Sequence, residues 1–572
     1  PTRVNHVIDG SDFGWRTGSG KFMDYCSDTF GTVADVGPGS PTGVCFGYGA
    51  KFPAKYQNAF FISDWSYGKL YAVHLSPQGS TYTGKVEEFA SAQPFPLTDL
   101  LVNPKDGAMY IAVGGRKVQS GLYRITYEGK ESTVPAKSMS GGEEARKRRQ
   151  ALESFVQREA KPANKNQLNK IWSSLAAQDR GIRHAARVAL EKQSVKKWKG
   201  RLASEKSPIA ASAAMIALAR ADATSGETVL QKAMTFKYRD LKSRQQKLDL
   251  LRSITLALTR GGQPAEEQKG KLIAWLDQIY PASTPEENRD LSAIMQFLQA
   301  PSAARKGMAL LRGASGQEEQ IGYALNLRHL KNGWTSLLRE SYFKWFVRAG
   351  NFKGGARLNN YLDGIKKDAI ASVKDSQMTE GLKKIIDTKP QSSAPQFTFE
   401  PRTFVKNWTM KEMGKWVPSG VPGKRDFKNG RQMFGAGSCY ACHRIGGEGG
   451  AVGPDLTSVG GKFGGYDLIE SIVDPGKEIS DQYGSSIFSL SDGSQLNGRI
   501  MNMRNNEYWI NTDMMQPSMV TKVKAENLAS IEPSTVSMMP PGLLNTMDKE
   551  DILDLMAYLI AGGKPDHHLF TK

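Results

Sequence analysis

Cysteine is scarce in this chain: four in 572 residues, placed as two separated pairs, Cys26 with Cys45 and Cys439 with Cys442. That density excludes a disulfide-built scaffold, so packing must hold the fold. No apolar run approaches the ~20 residues that cross a bilayer, and no signal peptide is visible. The chain opens Pro1-Thr2-Arg3 without a Met, which reads as a processed chain or a piece of something longer.

What is present is ordinary globular material, 39% hydrophobic and 23% charged, which excludes disorder and collagen-like order. At ~100–200 residues per domain the length predicts about three domains. The net charge of +19 is uneven: +1 over residues 1–130, +24 over 131–430 and −6 over 431–572. The basic character therefore belongs to the middle of the chain.

Three stretches show three different periods. Over 1–130, short apolar runs such as Ala59-Phe60-Phe61-Ile62 and Ala108-Met109-Tyr110-Ile111-Ala112-Val113 alternate with turn clusters such as Ser66-Tyr67-Gly68 and Asp106-Gly107. They predict many short strands, hence a barrel, sandwich or propeller. From about 141 to 387 the period becomes 3.6. Ala211, Ala214, Met215 and Leu218 share one helix face behind Ser207-Pro208, and Ile182, Ala185, Ala186, Ala189 and Leu190 form another stripe. Successive helical hairpins of this kind resemble a HEAT-type solenoid, with an irregular helical domain as the alternative. Residues 388–425, rich in Pro and Ser, read as a linker.

The last stretch carries the strongest motif. Cys439-Tyr440-Ala441-Cys442-His443 has C-x-x-C-H spacing, the attachment pattern of c-type haem. Two thiols one helical turn apart can add to the two vinyl groups of one porphyrin, and the adjacent His then lies under the iron. Zinc needs further Cys or His ligands, and the rest of this stretch offers His567 and His568 at its far end. A thioredoxin-like dithiol needs a βαβ setting that is missing. The motif predicts one covalent haem c, with His443 as an iron ligand.

The flanking residues resemble cytochrome c domains. Phe427–Phe434 and Asp548–Leu559 match the first and last helices, whose aromatics pack crosswise; Phe434 and Tyr558 are the expected pair. Pro454, in Gly453-Pro454-Asp455-Leu456, matches the proline that borders the proximal His and orients its other ring nitrogen. The sixth ligand is expected on Ser537-Met538-Met539-Pro540-Pro541-Gly542. Met539 is favoured and Met538 is the runner-up, with Met514, Met515 and Met519 weaker. His/Met ligation leaves no open position, which suits electron transfer. The intervening stretch of about 484–532 reads as a small β insert, with an Asp492-Gly493 turn.

Val452-Gly453-Pro454-Asp455-Leu456, Ile479-Ser480-Asp481-Gln482-Tyr483 and Ser537–Tyr558 together resemble the PVC-type haem-binding CxxCH proteins. These join a dehydrogenase-like β-propeller, a HEAT-like helical region and a C-terminal cytochrome c. The N-terminal words Arg3-Val4-Asn5-His6, Asp12-Phe13-Gly14-Trp15-Arg16, Ser40-Pro41-Thr42-Gly43 and Leu122-Tyr123-Arg124-Ile125 are similar to the closing blades of soluble quinoprotein sugar dehydrogenases. So few residues cannot make six blades, and the resemblance implies that earlier blades belong to a longer protein or a partner. It also implies a PQQ and calcium site, but Pro96-Leu97-Thr98-Asp99 stands where the quinoproteins have paired arginines. An apolar and a hydroxyl residue cannot neutralise a tricarboxylate, so the analogy fails at this site, with Arg116 on a neighbouring loop as a disfavoured substitute.

The expected architecture is thus multidomain: a partial β-propeller over 1–130, an all-α HEAT-like solenoid over 131–387, a linker over 388–425, and a cytochrome c domain over 426–572. The resemblance implies a periplasmic or otherwise extracytoplasmic c-type cytochrome that passes electrons from an oxidation at or near the propeller to an acceptor. The alternatives are a sugar or alcohol dehydrogenase with a built-in cytochrome and a scaffold or relay subunit. Haem is attached outside the cytoplasm, where thiols oxidise, so a Cys26–Cys45 disulfide is expected. His6, His74, His184 and His329 read as structural. The basic middle shows clusters such as Arg146-Lys147-Arg148-Arg149 but no nucleic-acid motif, and suits an acidic redox partner, the acidic haem domain or an anionic polysaccharide.

Overall fold

The computed structural model describes every residue except 1, 14–22, 24, 38, 93, 116–117, 158, 315, 353–357, 389–401, 417–420, 451, 480–482, 505, 514–518 and 572. Arg116, Met514 and Met515, the Trp15-Arg16 and Ser480–Gln482 words, and 389–401 and 417–420 of the stretch read as linker lie outside the described residues.

Alternating apolar residues and glycine turns build two antiparallel meanders at the N-terminal end. Pro41–Phe46, Phe60–Asp64, Lys69–Gln78 and Thr81–Ser91 pair in sequence order, as do Leu97–Val102, Met109–Gly115 and Val118–Ile125. The expected Asp106-Gly107 turn forms. Asp106 Oδ1 accepts from the Ala108 N–H at 3.0 Å, and Gly107 sits at φ 73°, a region that favours glycine. The first strands of the two meanders face each other closely, because a Cβ on Gly43 would lie 2.5 Å from Asp99 Cα. Phe61, Leu70, Leu97 and Met109 fill the space between them with no exposed surface. Among the described residues these sheets are open, and no closed ring forms.

The middle of the chain is a stack of helices from Glu143–Glu153 to Glu380–Asp387. Polar caps start many of them. Asn164, Asp179, Ser207, Ser243, Thr284, Thr335 and Thr379 each accept a backbone N–H of the first turn. Arg180–Glu191, Pro208–Ala221, Arg244–Gly261, Pro285–Phe297, Gln317–Leu327 and Leu358–Ala371 pack one on the next, with intervening helices forming a second layer. Ala211, Ala214, Met215 and Leu218 are fully buried between layers, as their spacing predicts.

Part of this layer's positive charge is consumed internally. Asp28, on the N-terminal loop, is 2% exposed and takes a bidentate pair of bonds from Arg252, Nε to Oδ1 and Nη2 to Oδ2, both at 2.8 Å. Arg220 reaches the same carboxylate at 3.4 Å. Arg180 donates to the carbonyls of Cys26 and Thr29 at 2.9 and 2.8 Å, and Tyr25 donates to Asp290 at 3.1 Å. One loop of the β part is therefore clamped across four successive helices.

That clamp overturns the expected disulfide: Cys26 and Cys45 are both free thiols. Cys26 is held against the helices by the bonds around Tyr25–Thr29, whereas Cys45 lies on the strand Pro41–Phe46, opposite Phe61 in the sheet core. Burial pushes the Cys26 thiol up to about 12 and the Cys45 thiol up to about 11, so neither is a ready thiolate.

The C-terminal part contains the helices Phe427–Ala436, Cys439–Cys442, Gly465–Val473 and Lys549–Ile560. A five-stranded antiparallel sheet, in the order Thr521–Lys524, Glu507–Asn511, Gln495–Arg504, Ser486–Leu490, Leu528–Pro533, occupies the stretch expected as an insert. Some of the residues read as linker belong to this packed unit. Met413 is fully buried, Trp408 Nε1 donates to the Met547 carbonyl at 3.0 Å, and Arg402 pairs with Asp551. Their Trp and Met side chains supply apolar area that a Pro/Ser count overlooks. Among the described residues no helix is long and apolar enough to cross a membrane.

Candidate functional site

Two crossing helices make the frame. Asp426 caps Phe427–Ala436, and Asp548 caps Lys549–Ile560 with a capping box. A Cβ on Gly430 would meet the backbone carbonyl of Asp554 and lie 2.9 Å from Tyr558 Cβ, so glycine lets the helices touch. Beside that contact Phe434 and Tyr558 pack with ring centroids 5.7 Å apart at 49°, and Phe427 lies 5.5 Å from the same tyrosine. Fully burying such rings is worth roughly 1.5–3 kcal/mol each.

The motif follows directly. Gly437 ends the first helix and Ser438, at φ 56°, turns the chain into the short helix Cys439–Cys442. A Cβ on Gly437 would lie 3.3 Å from Cys439 Sγ and 3.1 Å from Met547 Cε, so a bare backbone admits the cysteine sulfur and the methionine methyl. Burial holds the Cys439 thiol up at about 12 and raises Cys442 as well.

The loop after the motif folds back under His443. The N–H groups of Val452 and Gly453 donate to the Cys442 carbonyl at 3.1 and 2.8 Å, and Leu456 N–H donates to Arg444 at 2.7 Å. His443 Nδ1 lies 3.0 Å from the Pro454 carbonyl oxygen. A carbonyl can only accept, so Nδ1 carries the proton and Nε2 keeps its lone pair for a ligand. Burial lowers the pKa of His443, against the opposing pull of that bond, which keeps the ring neutral as metal ligation requires. A Cβ on Gly453 would stand 2.8 Å from His443 Cε1, so glycine is needed for the loop to lie on the ring.

The methionine loop is placed as follows. Met539 is half-buried against the core of this unit, and its N–H donates to Ser537 Oγ at 3.1 Å. Met538 is also half-buried, whereas Met519 is 58% exposed on the insert. A cavity of about 340 Å³ opens beside the same loop, between Pro541–Asn545, Trp408 and the end of Gly465–Val473; Cys439, Cys442 and His443 do not line it.

These residues fit a haem c. They offer two neutral thiols one turn apart, an imidazole with one nitrogen engaged and the other available, and thioether sulfur on a separate loop. Among the described residues no cluster of three or more His, Cys, Asp or Glu suits a bare metal ion. The stretch compared with the quinone site offers no cation. Leu97 is fully buried and Thr98 Oγ1 donates to the Ala112 carbonyl at 3.1 Å. The other histidines have local partners: His6 meets Thr81 at 2.9 Å, His74 meets Glu87 at 2.6 Å, and His184 meets the Gly10 carbonyl at 3.2 Å. His329 is half exposed near Asp368. His567 and His568 lie with ring centroids 4.2 Å apart and tilted by 36°, at a groove of about 520 Å³ shared with Tyr67, Lys69 and Glu88 of the β part.

The sequence marks Pro454 but neither Gly453 nor Arg499, whose Nη1 donates to the Val452 carbonyl at 3.2 Å. Gly453 was findable, since a Gly-Pro beside a ligand loop signals close backbone approach. Arg499 carries no local signal.

A comparison with curated proteins finds no match for the chain. Residues 427–561 match the family model of cytochrome c, and the C-terminal part of this multidomain protein is accordingly a cytochrome c domain, a haem c carrier for electron transfer.

Proposed function

We propose that this protein is an extracytoplasmic c-type cytochrome that takes electrons from an oxidation at or near its N-terminal β part and delivers them to an acceptor through one haem. In this reading Cys439 and Cys442 form the thioether links, His443 ligates iron through Nε2, Met539 supplies the opposite ligand, and the Pro454 carbonyl fixes the imidazole. The carrying observation is the His443–Pro454 bond at 3.0 Å, which leaves Nε2 free directly after a C-x-x-C pair. Haem with both axial positions filled exchanges electrons without binding substrate.

The contact between the two ends of the chain supports a donor near the β part. Phe95 N–H donates to the Gly461 carbonyl at 3.2 Å, a Cβ on Gly461 would lie 2.6 Å from the Ser66 carbonyl, and Lys462 Nζ sits 5.4 Å from the Trp65 ring centroid. The β part therefore abuts the Val459–Gly461 turn, which follows the loop that holds His443 in the chain. The two meanders are read as neighbouring propeller blades, and the helical stack as a HEAT-like solenoid.

A scaffold or relay role is the second reading, favoured by the clamp of Asp28 and its neighbours on the helices. Purification from an oxidising compartment separates these readings. Denatured protein should keep one haem by mass and by in-gel peroxidase stain. Rapid mixing with sugars or alcohols should then reduce it if the chain, or blades associated with it, performs the oxidation. Reduction that needs a co-purifying dehydrogenase supports the relay. Loss of the pigment on denaturation overturns both.

A further inference from the structure

The five-stranded insert reaches the haem-ligand loop through one side chain. Arg499, on the strand Gln495–Arg504, donates from Nη1 to the Val452 carbonyl oxygen at 3.2 Å. Its guanidinium carbon lies 4.8 Å from the centroid of the Tyr483 ring, a cation–π contact that holds the head group in place. Gly498, next to it, is buried where a Cβ would lie 2.7 Å from Ile510 Cγ2, so the strand is seated close against its neighbour Glu507–Asn511. Arg499 thus projects from a strand paired on both sides.

The residue it grips stands at a decisive place. Val452 and Gly453 both donate to the Cys442 carbonyl, Gly453 lies against the His443 ring, and the next carbonyl, that of Pro454, accepts from His443 Nδ1. The loop is rich in glycine, with Gly446, Gly447, Gly449, Gly450 and Gly453 between His443 and Pro454. Such a sequence has little intrinsic stiffness, because each glycine loses more backbone freedom on ordering than another residue. A charge-assisted bond from outside adds to the backbone bonds that fold the loop against Cys442 and Arg444.

We infer that Arg499 is a positioning residue for His443: the β insert holds the Val452–Pro454 loop through this guanidinium, and so fixes the imidazole orientation. The inference rests on the haem reading above and gives the insert a task within it.

The test follows His443 Nδ1–H exchange with solvent by NMR in the haem-loaded full chain, with urea unfolding as the control. Arg499→Met should speed that exchange by about tenfold or more, the factor one charge-assisted hydrogen bond is worth. Arg499→Lys, which keeps charge and some reach, should recover part of the protection. Tyr483→Leu should raise exchange by a smaller factor, on the order of threefold, and decides the matter if Arg499→Met does not fold. Unchanged exchange in Arg499→Met, or in Tyr483→Leu where it alone folds, overturns the inference. So does a rise fully matched by lost global stability. Failure of wild-type protein to bind haem covalently overturns the haem reading instead, so the two failures are distinguishable.

Discussion

The Nδ1 atom of His443 and the carbonyl oxygen of Pro454 lie 3.0 Å apart. A backbone acceptor at that position decides which ring nitrogen is protonated, and hence which is free to bind iron.

Haem attachment should depend on both thiols. Cys439→Ser or Cys442→Ser leaves one thioether link, and the double variant leaves none. Mass spectrometry of denatured protein should show haem on wild type and on a fraction of each single variant. Haem retained by the double variant would refute the assignment.

The opposite ligand separates two adjacent methionines. Met539→Ala should lower the midpoint potential by on the order of 100 mV, within the ~0.8 V that axial ligands span. Met538→Ala should leave it nearly unchanged. Spectroelectrochemistry reads both, and the reverse order would transfer the role to Met538.

Gly430→Ala should destabilise the cytochrome domain by roughly 1–3 kcal/mol, the usual range for forcing a methyl into a tight contact. The added Cβ meets Asp554 and Tyr558 at the helix crossing. Thermal unfolding followed at the haem absorption band checks it, with an unchanged midpoint as the contrary result.

Asp28→Asn removes the charge that Arg252 and Arg220 share. Breaking a buried pair by removing one partner costs about 3–5 kcal/mol. The β part should then loosen from the helices and become protease-sensitive near residue 28 before the helical stack unfolds in denaturant. Unaltered digestion would show that the clamp contributes little.

His184 sets an acid limit on the same interface. Its ring packs 4.6 Å from Phe30, faces the Gly10 carbonyl at 3.2 Å, and has Arg187 at 3.2 Å from Nδ1. Burial, reinforced by Arg187, holds its pKa well below 6.5. Below about 6.5 the unfolded chain therefore binds a proton that the folded chain refuses, and stability falls as pH falls. Asp290, raised to about 6 by burial, works in the opposite direction from there downward. The contribution of His184 is isolated by comparing wild type with His184→Asn in denaturant between pH 7.5 and 5. The wild type should lose more stability; parallel curves would exclude the effect.

Much of this was legible beforehand because local spacing carries it. The C-x-x-C-H word, the helical period behind Ser207-Pro208 and the glycine turns each specify short-range geometry that a chain segment meets by itself. The residues read as linker show the limit. Their Pro/Ser content suggested a connector, yet Trp408 and Met413 are packed against the cytochrome domain. The Cys26–Cys45 pairing failed for a related reason: an oxidising compartment says nothing about which surface each thiol is packed against.

Local chemistry along the chain thus specified the haem word and the helix and strand periods, because each depends on neighbours within a few turns. Tertiary structure alone decided that Asp28 meets Arg252 across the helical stack, that the β part abuts the Val459–Gly461 turn, and that Arg499 grips the loop under His443. Those contacts join residues far apart in sequence, where no period or spacing constrains the partner and only the packed backbone brings the charges and carbonyls within bonding distance.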